Sequence, residues 1–328
     1  MTVSLVRDHA PRGRNFWKAV RVLAIVCPGQ GSQTPGFLSE WLDVDGVREH
    51  LAALGEITGR DLIEHGTVSD EETIKDTAVA QPLIVAAGLV TARALFGERL
   101  PANAVLAGHS VGEITASALA GALSENDAMN FVRVRANAMA EAAAATPTGM
   151  AAVLGGDPQE VLDRLAELGL TPANANGGGQ TVAAGTMEQL AALGENPPAK
   201  ARVIPLKVAG AFHTAHMAPA LGVLQELAET LAPSEPSTAL LSNYDGQAVE
   251  SGAANLESLV AQVSRPVRWD LCMQTLADHG VTGILELAPA GTLVGLARRG
   301  LKGVKGMALK SPADLDAARE FIAEHTAN

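Results

Sequence analysis

The sequence predicts an α/β fold in which a core built on a parallel sheet carries a smaller inserted subdomain. Short apolar strands alternate with alanine-rich helices over most of the chain, which is typical of a parallel sheet covered by helices. The order of elements changes between residues 146 and 208 and then returns to the first pattern, which indicates an insertion. Aromatic residues make up only 3% of the 328 residues, so an aromatic-cored β-sandwich is disfavoured.

The core begins with an apolar run at 22–27 that is rich in β-branched residues, as expected of a strand buried on both faces. Further strands are predicted at 105–108 and 284–287. Helices are predicted at 47–58, 82–96, 112–123, 125–145, 217–231, 255–263 and 269–279. Together these elements predict a hydrolase-like α/β core.

The inserted segment starts with a strand-like run at 150–154, and Asp157-Pro158 is the N-terminal signal of a helix. Two strands are predicted around the glycines at 177–179, followed by a helix at 186–193 and a strand at 202–208. The order β-α-β-β-α-β predicts a ferredoxin-like subdomain. We therefore divide the chain into an extension (1–21), a catalytic core (22–145 and 209–315), the small subdomain (146–208) and a C-terminal tail or helix (316–328).

Charge and cysteine content exclude several classes of protein. The chain carries 24 Lys and Arg against 36 Asp and Glu, a net charge of −12, which argues against nucleic acid or an anionic membrane as the main partner. No uninterrupted apolar run approaches the roughly 18 residues of a membrane span. Two distant cysteines, Cys27 and Cys272, fit a reducing compartment and no disulfide scaffold. We expect a cytoplasmic monomer that does not act on a membrane.

Residues 1–21 differ from the rest of the chain, because they hold five basic residues and one acidic residue. They contain no apolar segment of the kind found in secretory signals. An organelle transit peptide is one alternative, but we favour a disordered extension or an upstream start codon. The functional argument therefore begins near Val22.

The segment Gly108-His109-Ser110-Val111-Gly112 lies between a predicted strand and a predicted helix. In a G-x-S-x-G turn the glycines permit a bend too tight for side chains, and the serine hydroxyl is raised at the end of the strand. The free N–H groups of the following helix then point to where an oxyanion would form. The alternative is a tight structural turn in which Ser110 caps the helix.

A serine nucleophile needs a base, and eight histidines are available. We expect the side chain of His109 to point away from the serine next to it. His213 and His216, just after a predicted strand, are the best candidates, and spacing alone does not separate them. The others lie in the extension or among charged residues, where we expect them to be solvated: His9, His50, His65, His279 and His325.

Two further segments suggest how a substrate is held. The glycine-rich loop at 28–33 follows the first strand and could present a backbone N–H to an oxyanion, but it lacks the spacing and the lysine of nucleotide-binding loops. Arg133 and Arg135 lie two positions apart on one helix, so they point in nearly opposite directions. One of them is expected to face the core, where a buried guanidinium needs an anion such as a substrate carboxylate.

Taken together, the motifs resemble the malonyl-CoA:acyl carrier protein transacylases of fatty-acid and polyketide synthesis, and the resemblance covers the chain from Val22 to about Lys310. The segments that carry it, in family order, are P-G-Q-G-S-Q at 28–33, Gln81-Pro82, G-H-S-V-G-E at 108–113, Arg135 with Met139, G-A-F-H at 210–213, S-N-Y-D-G at 242–246, and Gln262 ahead of R-P-V at 265–267. Each motif alone is modest, but the ordered set is highly specific.

The resemblance implies a role for each matching residue. Ser110 is the acyl-accepting nucleophile, His213 rather than His216 is its base, and the backbone N–H groups of Gln30 and Val111 form the oxyanion hole. Arg135 binds the malonyl carboxylate, and the main-chain carbonyl of Gln262 orients His213. The implied substrate pocket further includes Gln81, Met139 and Phe212, and no cofactor or metal is implied.

The resemblance also implies the reaction and its selectivity. The malonyl group passes from malonyl-CoA to Ser110 and then to the phosphopantetheine thiol of an acyl carrier protein, in a ping-pong sequence. Phe212 beside His213 resembles the malonyl-selective form of the family, because a bulky side chain leaves little room for an α-methyl group. Ala136 and Arg265 depart from residues common in the family, which affects only helix packing and the pocket rim.

Carrier proteins are usually acidic, so docking on this acidic chain requires a local basic surface. We define the basic patch as Arg298, Arg299 and Lys302, in a segment from 289 to 313 that has no acidic residue. It is a candidate surface for the carrier protein or the phosphates of CoA, and the alternative is a solvated helix end. The rival functions are a serine hydrolase, which would use an acidic residue and a histidine near the C-terminus, and a catalytically silent carrier-binding module.

Overall fold

The computed structural model describes residues 21–327, so all of the predicted extension except Arg21 lies outside the described residues. The strands are β1 Val22–Cys27, β2 Ala104–Gly108, β3 Thr148–Gly155, β4 Thr171–Gly177, β5 Gln180–Thr186, β6 Ala201–Pro205, β7 Ala239–Leu241, β8 Val281–Glu286 and β9 Lys305–Ala308. The α-helices are α1 Val47–Thr58, α2 Leu62–Thr67, α3 Glu71–Lys75, α4 Thr77–Phe96, α5 Gly112–Leu119, α6 Glu125–Ala145, α7 Pro158–Glu167, α8 Met187–Glu195, α9 Leu221–Ala228, α10 Gly252–Gln262, α11 Trp269–Asp278, α12 Thr292–Gly300 and α13 Leu315–Thr326.

The larger sheet has five parallel strands in the order β7-β2-β1-β8-β9. Alternate residues of β1 face opposite sides of this sheet, as the strand period requires. Leu23, Ile25 and Cys27 join the main apolar core on one face, and Ala24 and Val26 join a second core on the other. Both faces of the sheet are therefore covered, which explains the uninterrupted apolar run in the sequence.

Helix α4 is the most apolar element of the core. It is long and apolar enough to cross a membrane by length and composition alone, yet 83% of its apolar window is buried inside the protein. It packs against α6, which carries the two arginines noted in the sequence. These contacts are those of a core helix of a globular α/β protein.

The second sheet is separate and antiparallel, with the order β4-β5-β3-β6. Helices α7 and α8 pack against it around their own apolar cluster, which includes Val153, Leu165 and Leu193. Chain order here is β-α-β-β-α-β. Backbone hydrogen bonds between β4 and Val267, one donated from each side, join this sheet to the core.

Several predicted boundaries were wrong. Helix α4 begins at Thr77, where Asp76 caps it, so that Pro82 lies inside the helix rather than at its start. The helix predicted at 217–231 is a 3-10 turn at Ala215–Ala220, which contains Pro219, followed by the shorter α9. Elements absent from the sequence prediction are α2, α3, β7, α12 and β9, which are short or partly polar. Helix α13 matches the helix that was one of the two alternatives for residues 316–328.

Candidate active site

Ser110 lies at a sharp turn between β2 and α5 with a backbone φ of 53°. The turn is possible only because the chain approaches itself closely at two glycines. A Cβ at Gly108 would lie 2.1 Å from the backbone of Gly112, and a Cβ at Gly112 would lie 2.2 Å from the carbonyl oxygen of Cys27. No side chain fits at such distances, so the glycines of this motif are a steric requirement of the strand-turn-helix bend.

The Ser110 hydroxyl lies 2.7 Å from Nε2 of His213. The opposite ring nitrogen, Nδ1, lies 2.8 Å from the main-chain carbonyl of Gln262. A carbonyl only accepts, so Nδ1 carries the proton and Nε2 presents its lone pair to the serine. His216 lies three residues further on, in the 3-10 turn, and no hydrogen bond joins it to Ser110 among the described contacts. The structure thus separates two histidines that spacing could not.

His213 is held in an unusual conformation. Its φ is 61°, and its backbone N–H donates to the carbonyl of Val263 at 3.1 Å. Burial, together with the nearby positive charge of Arg135, lowers the pKa of His213 to about 3. The imidazole is therefore neutral at pH 7, which is the form that can accept a proton from a serine.

Of the two arginines on α6, Arg135 is fully buried, whereas Arg133 is half-buried and bonds to Asn130 on its own helix. Nη1 of Arg135 donates to Oε1 of Gln81 at 2.6 Å, and Nη2 donates to Oε1 of Gln262 at 2.8 Å. Its Nε–H is buried without a partner. Burial lowers the pKa of Arg135 to about 10, so the guanidinium stays charged at neutral pH with a free donor.

The pocket residues predicted on α4 and α6 meet around this guanidinium. Nε2 of Gln81 lies 3.6 Å from the sulfur of Met139 and 3.4 Å from Oε1 of Gln30. Gln30 belongs to the loop after β1, which packs directly on the serine turn, because a Cβ at Gly29 would lie 2.7 Å from the carbonyl oxygen of His109. Val111 is buried immediately before α5, so its N–H lies at the N-terminus of that helix.

Sequence reasoning assigned no role to Asn243 and Glu113. Oδ1 of Asn243 accepts the backbone N–H of Ser110 at 2.8 Å, and its Nδ2 donates to the carbonyl of Gly108 at 2.7 Å. Asn243 thus holds both sides of the strained turn. Glu113 is fully buried, and its carboxylate accepts hydrogen bonds from the side chain of Gln262 and the backbone N–H of Asn243. Glu113 lies in the 108–113 motif and Asn243 in the 242–246 motif, and membership of these motifs was the sequence signal that could have identified them.

Each of these side chains is placed by a different element, at one edge of the parallel sheet. Ser110 follows β2, Asn243 follows β7 and the loop of Gln30 follows β1, so three neighbouring strands deliver them at their carboxyl ends. This edge is where sites form in open parallel sheets. Gln262, the last residue of α10, joins the arginine and the histidine, because its side chain contacts Arg135 and its carbonyl contacts His213.

A cleft with a volume of about 480 Å³ adjoins the site between the core and the small sheet. Its lining includes Gln30, His109, Asn176, Lys207 and Leu296. The imidazole of His109 turns away from Ser110 and bonds to Asn176 Oδ1 at 2.8 Å, as predicted for a neighbour on a sharp turn. An elongated ligand lying in this cleft would therefore contact both the core and the small antiparallel sheet.

Comparison with known proteins places the chain in a family. A family model described as an acyl transferase domain matches residues 24–314. The malonyl CoA-acyl carrier protein transacylase of Mycobacterium tuberculosis (strain ATCC 25618 / H37Rv) is 52% identical over 297 residues, which is 90% of this chain and 98% of that protein. The chain belongs to the acyl transferase family. The enzyme of the same name from Escherichia coli (strain K12) is 31% identical over 305 residues, 91% of this chain and 99% of its own.

Solved structures of acyl transferases match the fold as well. The crystal structure of MCAT from Mycobacterium tuberculosis superimposes with a TM-score of 0.88 at 52% identity and covers 91% of this chain and 99% of that chain. A malonyl-transacylase in complex with a type II PKS acyl-carrier protein superimposes with a TM-score of 0.85 at 30% identity, with coverages of 91% and 99%. The parallel core sheet and the separate antiparallel sheet are thus features shared with solved members of the family.

In this acyl transferase the basic patch lies at the end of α12, the helix whose first part lines the cleft. Arg298 and Arg299 are in the last turn of α12 and Lys302 follows it, and all three are exposed. The first part of α12 lines the cleft through Thr292 and Leu296. Lys305, further along the basic segment, is already paired with Glu324 on α13.

One expectation about the remaining histidines was wrong. His325 is only 4% exposed, because the absence of a side chain at Gly283 lets its ring pack onto β8, where Nδ1 bonds to Thr282. His50 and His65 are half-buried and bond to Glu125 and Ser69. Within residues 21–327, no group of three or more acidic, histidine or cysteine side chains is arranged to hold a metal ion.

Proposed function

We propose that this acyl transferase moves a malonyl group from malonyl-CoA to the phosphopantetheine thiol of an acyl carrier protein. The observation that carries the proposal is the placement of a buried arginine with an unused donor next to a hydrogen-bonded Ser110–His213 pair. The first feature binds a carboxylate and the second attacks a thioester. The malonyl transacylase activity named for relatives at 52% and 31% identity supports the same substrates.

In the first half-reaction His213 Nε2 accepts the proton of the Ser110 hydroxyl as its oxygen attacks the thioester carbonyl. The oxyanion that forms is stabilised by the backbone N–H groups of Gln30, in the loop after β1, and Val111, immediately before α5. Coenzyme A leaves as the thiol, which takes the proton from His213, and a malonyl ester remains on Ser110. The 2.7 Å contact between serine and histidine supports this assignment.

In the second half-reaction the carrier protein's thiol attacks the malonyl-serine ester. His213 accepts the thiol proton and returns it to the Ser110 oxygen as the ester bond breaks. The carbonyl of Gln262 keeps Nδ1 protonated in both halves, so the same lone pair acts twice. No acidic residue is needed at Nδ1, which distinguishes this arrangement from a triad with Asp or Glu.

Arg135 is assigned the malonyl carboxylate. Its two bonded side-chain partners, Gln81 and Gln262, are neutral amides, so they orient the guanidinium without neutralising it. A carboxylate that bonds to the free Nε–H supplies the missing negative charge. Its arrival also weakens the field that depresses the pKa of His213, so the base becomes stronger once a malonyl group is bound. An acetyl group provides neither effect.

Phe212 is assigned to the selectivity for malonyl over α-branched substrates. It is 5% exposed, next to the base, and packs into the main core with Ala143 and Met139. A side chain that is fixed in this way cannot move aside cheaply for an additional methyl group. The position therefore favours an unbranched malonyl unit.

The cleft and the basic patch are assigned to the two thioester carriers. An extended pantetheine arm fits the cleft beside Gln30 and His109, and the patch at the end of α12 provides positive charge for an acidic carrier protein or for CoA phosphates. Arg298, Arg299 and Lys302 are exposed at the end of the helix that lines part of the cleft, which supports the assignment. The relative captured with its acyl-carrier protein supports a docking surface on this fold.

For the architecture, we propose a ferredoxin-like subdomain at 146–208 within a catalytic core at 22–145 and 209–315. The observed order β-α-β-β-α-β and the strand order β4-β5-β3-β6 support the ferredoxin-like topology. Helix α13 packs against β1 and β8, so residues after 315 add to the core. We further propose that the enzyme acts in the cytoplasm as a monomer.

The test is intact mass spectrometry after brief incubation with malonyl-CoA, with acetyl-CoA and a Ser110→Ala variant alongside. The expected result is a malonyl adduct that requires Ser110 and disappears when phosphopantetheinylated carrier protein is added. Release of CoA without transfer to the carrier would replace the proposal with a serine hydrolase. Absence of both adduct and CoA release would favour a carrier-binding module and contradict the site assignments.

A further inference from the structure

The charge of Arg135 has an unusual environment. Among residues 21–327 no carboxylate lies within salt-bridge distance of it, and its bonded partners are the oxygens of two amides. A fully buried cation without a counterion is costly, so some negative charge is expected nearby. Glu113 is the acidic group whose charge stabilises the protonated arginine, opposing the effect of burial on its pKa.

Gln262 connects the two charges. Its Oε1 accepts from Nη2 of Arg135 at 2.8 Å, and its Nε2 donates to the carboxylate of Glu113. Glu113 is fully buried in the first turn of α5, three residues after Ser110. The arrangement is an ion pair bridged by one amide, and it fixes which way that amide points. In this arrangement the Nε–H of Arg135 has no hydrogen-bond partner.

We propose that Glu113 is the internal counterion of Arg135 in the free enzyme, and that malonyl binding transfers this role to the substrate carboxylate while Glu113 takes up a proton from solvent. The proposal rests on the proposed function, since it requires a malonyl carboxylate at Arg135. In this step the carboxylate of Glu113 and one proton from solvent form a carboxylic acid. Glu113 is thus a positioning residue that acts through Gln262 and Arg135.

The electrostatics of Glu113 support proton uptake near neutral pH. Burial raises the pKa of Glu113 to about 7, while hydrogen bonds and the charge of Arg135 hold it down. Once a malonyl carboxylate neutralises Arg135, that opposing effect is lost and the pKa rises further. The Ser242 hydroxyl also contacts the carboxylate and bonds to Ser258, so its oxygen can accept a hydrogen bond from the protonated Glu113.

Other ionisable groups around Glu113 do not account for the same uptake. Cys272 on α11 faces it, but burial raises the pKa of this thiol, so it stays protonated throughout. His213 lies on the other side of Gln262, and burial lowers its pKa to about 3, so it is neutral at pH 7. Of these three groups, Glu113 is therefore the one with a pKa near 7.

The experiment measures protons taken up on binding, by isothermal titration calorimetry in buffers with different ionisation enthalpies. The Ser110→Ala variant prevents acylation, and acetyl-CoA serves as the matched ligand, because its phosphates are identical and only the carboxylate is missing. At pH 7 we expect malonyl-CoA to take up as much as about 0.5 proton more than acetyl-CoA, since a group with a pKa of about 7 is half ionised there. From pH 7 to 8 the malonyl-CoA Kd should rise up to about fivefold relative to acetyl-CoA.

A second background, Ser110→Ala with Glu113→Gln, should abolish the difference in proton uptake and flatten the pH dependence of the Kd. Glu141→Gln is the matched control, because it removes a negative charge from an exposed position on the same helix as Arg135. If the Glu113→Gln protein does not fold, infrared difference spectra of the Ser110→Ala protein provide the alternative measurement. Malonyl-CoA, but not acetyl-CoA, should then produce a protonated-carboxyl band.

Three results would overturn the inference. Equal proton uptake with the two ligands, or a difference that persists after Glu113→Gln, would exclude Glu113 as the acceptor, and the second result would point to His213. Absence of the protonated-carboxyl band with malonyl-CoA would also exclude Glu113 as the proton acceptor. Malonyl-CoA binding without extra proton uptake would leave the proposed function intact, whereas failure to bind malonyl-CoA at all would contradict both.

Discussion

Replacement of Arg135 provides the most direct test of substrate recognition. Arg135→Ala removes a fully buried guanidinium whose Nε–H has no protein partner. A malonyl group would then place its carboxylate in a buried site with only neutral amides around it. Breaking a buried charge pair in this way costs about 3–5 kcal/mol, which corresponds to a roughly 150- to 5,000-fold loss in kcat/KM for malonyl-CoA.

Acetyl transfer should respond differently. An acetyl group has no charge to lose, and removal of Arg135 also removes a cause of the low pKa of His213, which makes the base stronger. We therefore expect kcat/KM for acetyl-CoA to fall less than about tenfold or to rise. The enzyme should shift from strong preference for malonyl towards acceptance of both donors.

The assay is acyl transfer to a phosphopantetheinylated carrier protein, followed by mass spectrometry with each donor. Arg133→Ala is the matched control, because Arg133 lies two residues away on α6 but is bonded only within that helix. Arg135→Met fills more of the space and separates lost charge from lost packing. An equal fall in activity with both donors for Arg135→Ala would refute the assigned role.

Substitutions at the serine turn, the base and the basic patch test three other features of the site. Gly112→Ala places a methyl group 2.2 Å from the carbonyl at the end of β1, so it should lower the free energy of unfolding by about 1–3 kcal/mol or more, measured by thermal unfolding. Gly222→Ala, in open space on α9, is the control and should not lower it, and equal stabilities of the two variants would contradict the close approach. The pKa of His213 in the folded protein, about 3, lies below its value in the unfolded chain, so its contribution to stability is fully present above about pH 6.5. As the pH falls towards 3, the free energy of unfolding should decline by up to about 1.4 kcal/mol per pH unit, and urea unfolding of His213→Gln should lack this slope. Arg299→Glu with Lys302→Glu should raise the KM for carrier protein roughly three- to tenfold without slowing malonyl-Ser110 formation, and an unchanged KM would remove the docking assignment.

The sequence predicted those parts of the site that depend on local geometry. Two glycines around Ser110 were enough to locate the strained turn, because the steric requirement lies within five residues. Helical periodicity indicated that one of two arginines is buried, and the structure shows that it is Arg135. The choice between His213 and His216 required the family resemblance, since a difference of three residues does not determine which ring faces a serine more than 100 positions away.

The elements and residues that were not predicted depend on contacts between distant parts of the chain. Strand β7 has only three residues, and β9 is an exposed edge strand with a glycine, so neither has a usable hydrophobic pattern. Asn243 bonds to Ser110 across 133 positions, and Glu113 bonds to Gln262 across 149. Polar networks of this kind have no periodicity, so sequence patterns alone do not identify the partners.

The hydrogen bonds around Gln262 distinguish a transferase from a hydrolase more clearly than the serine turn does. A hydrolase triad would place a carboxylate on Nδ1 of the base, but here Nδ1 bonds to the carbonyl of Gln262. The buried carboxylate of Glu113 bonds instead to the side chain of Gln262, whose amide oxygen accepts a hydrogen bond from Arg135. Negative charge in this site therefore offsets the arginine rather than supporting the imidazole. A substrate that brings its own carboxylate relieves the field on His213 as it binds, so the chemistry is strongest for the acyl group that Arg135 recognises.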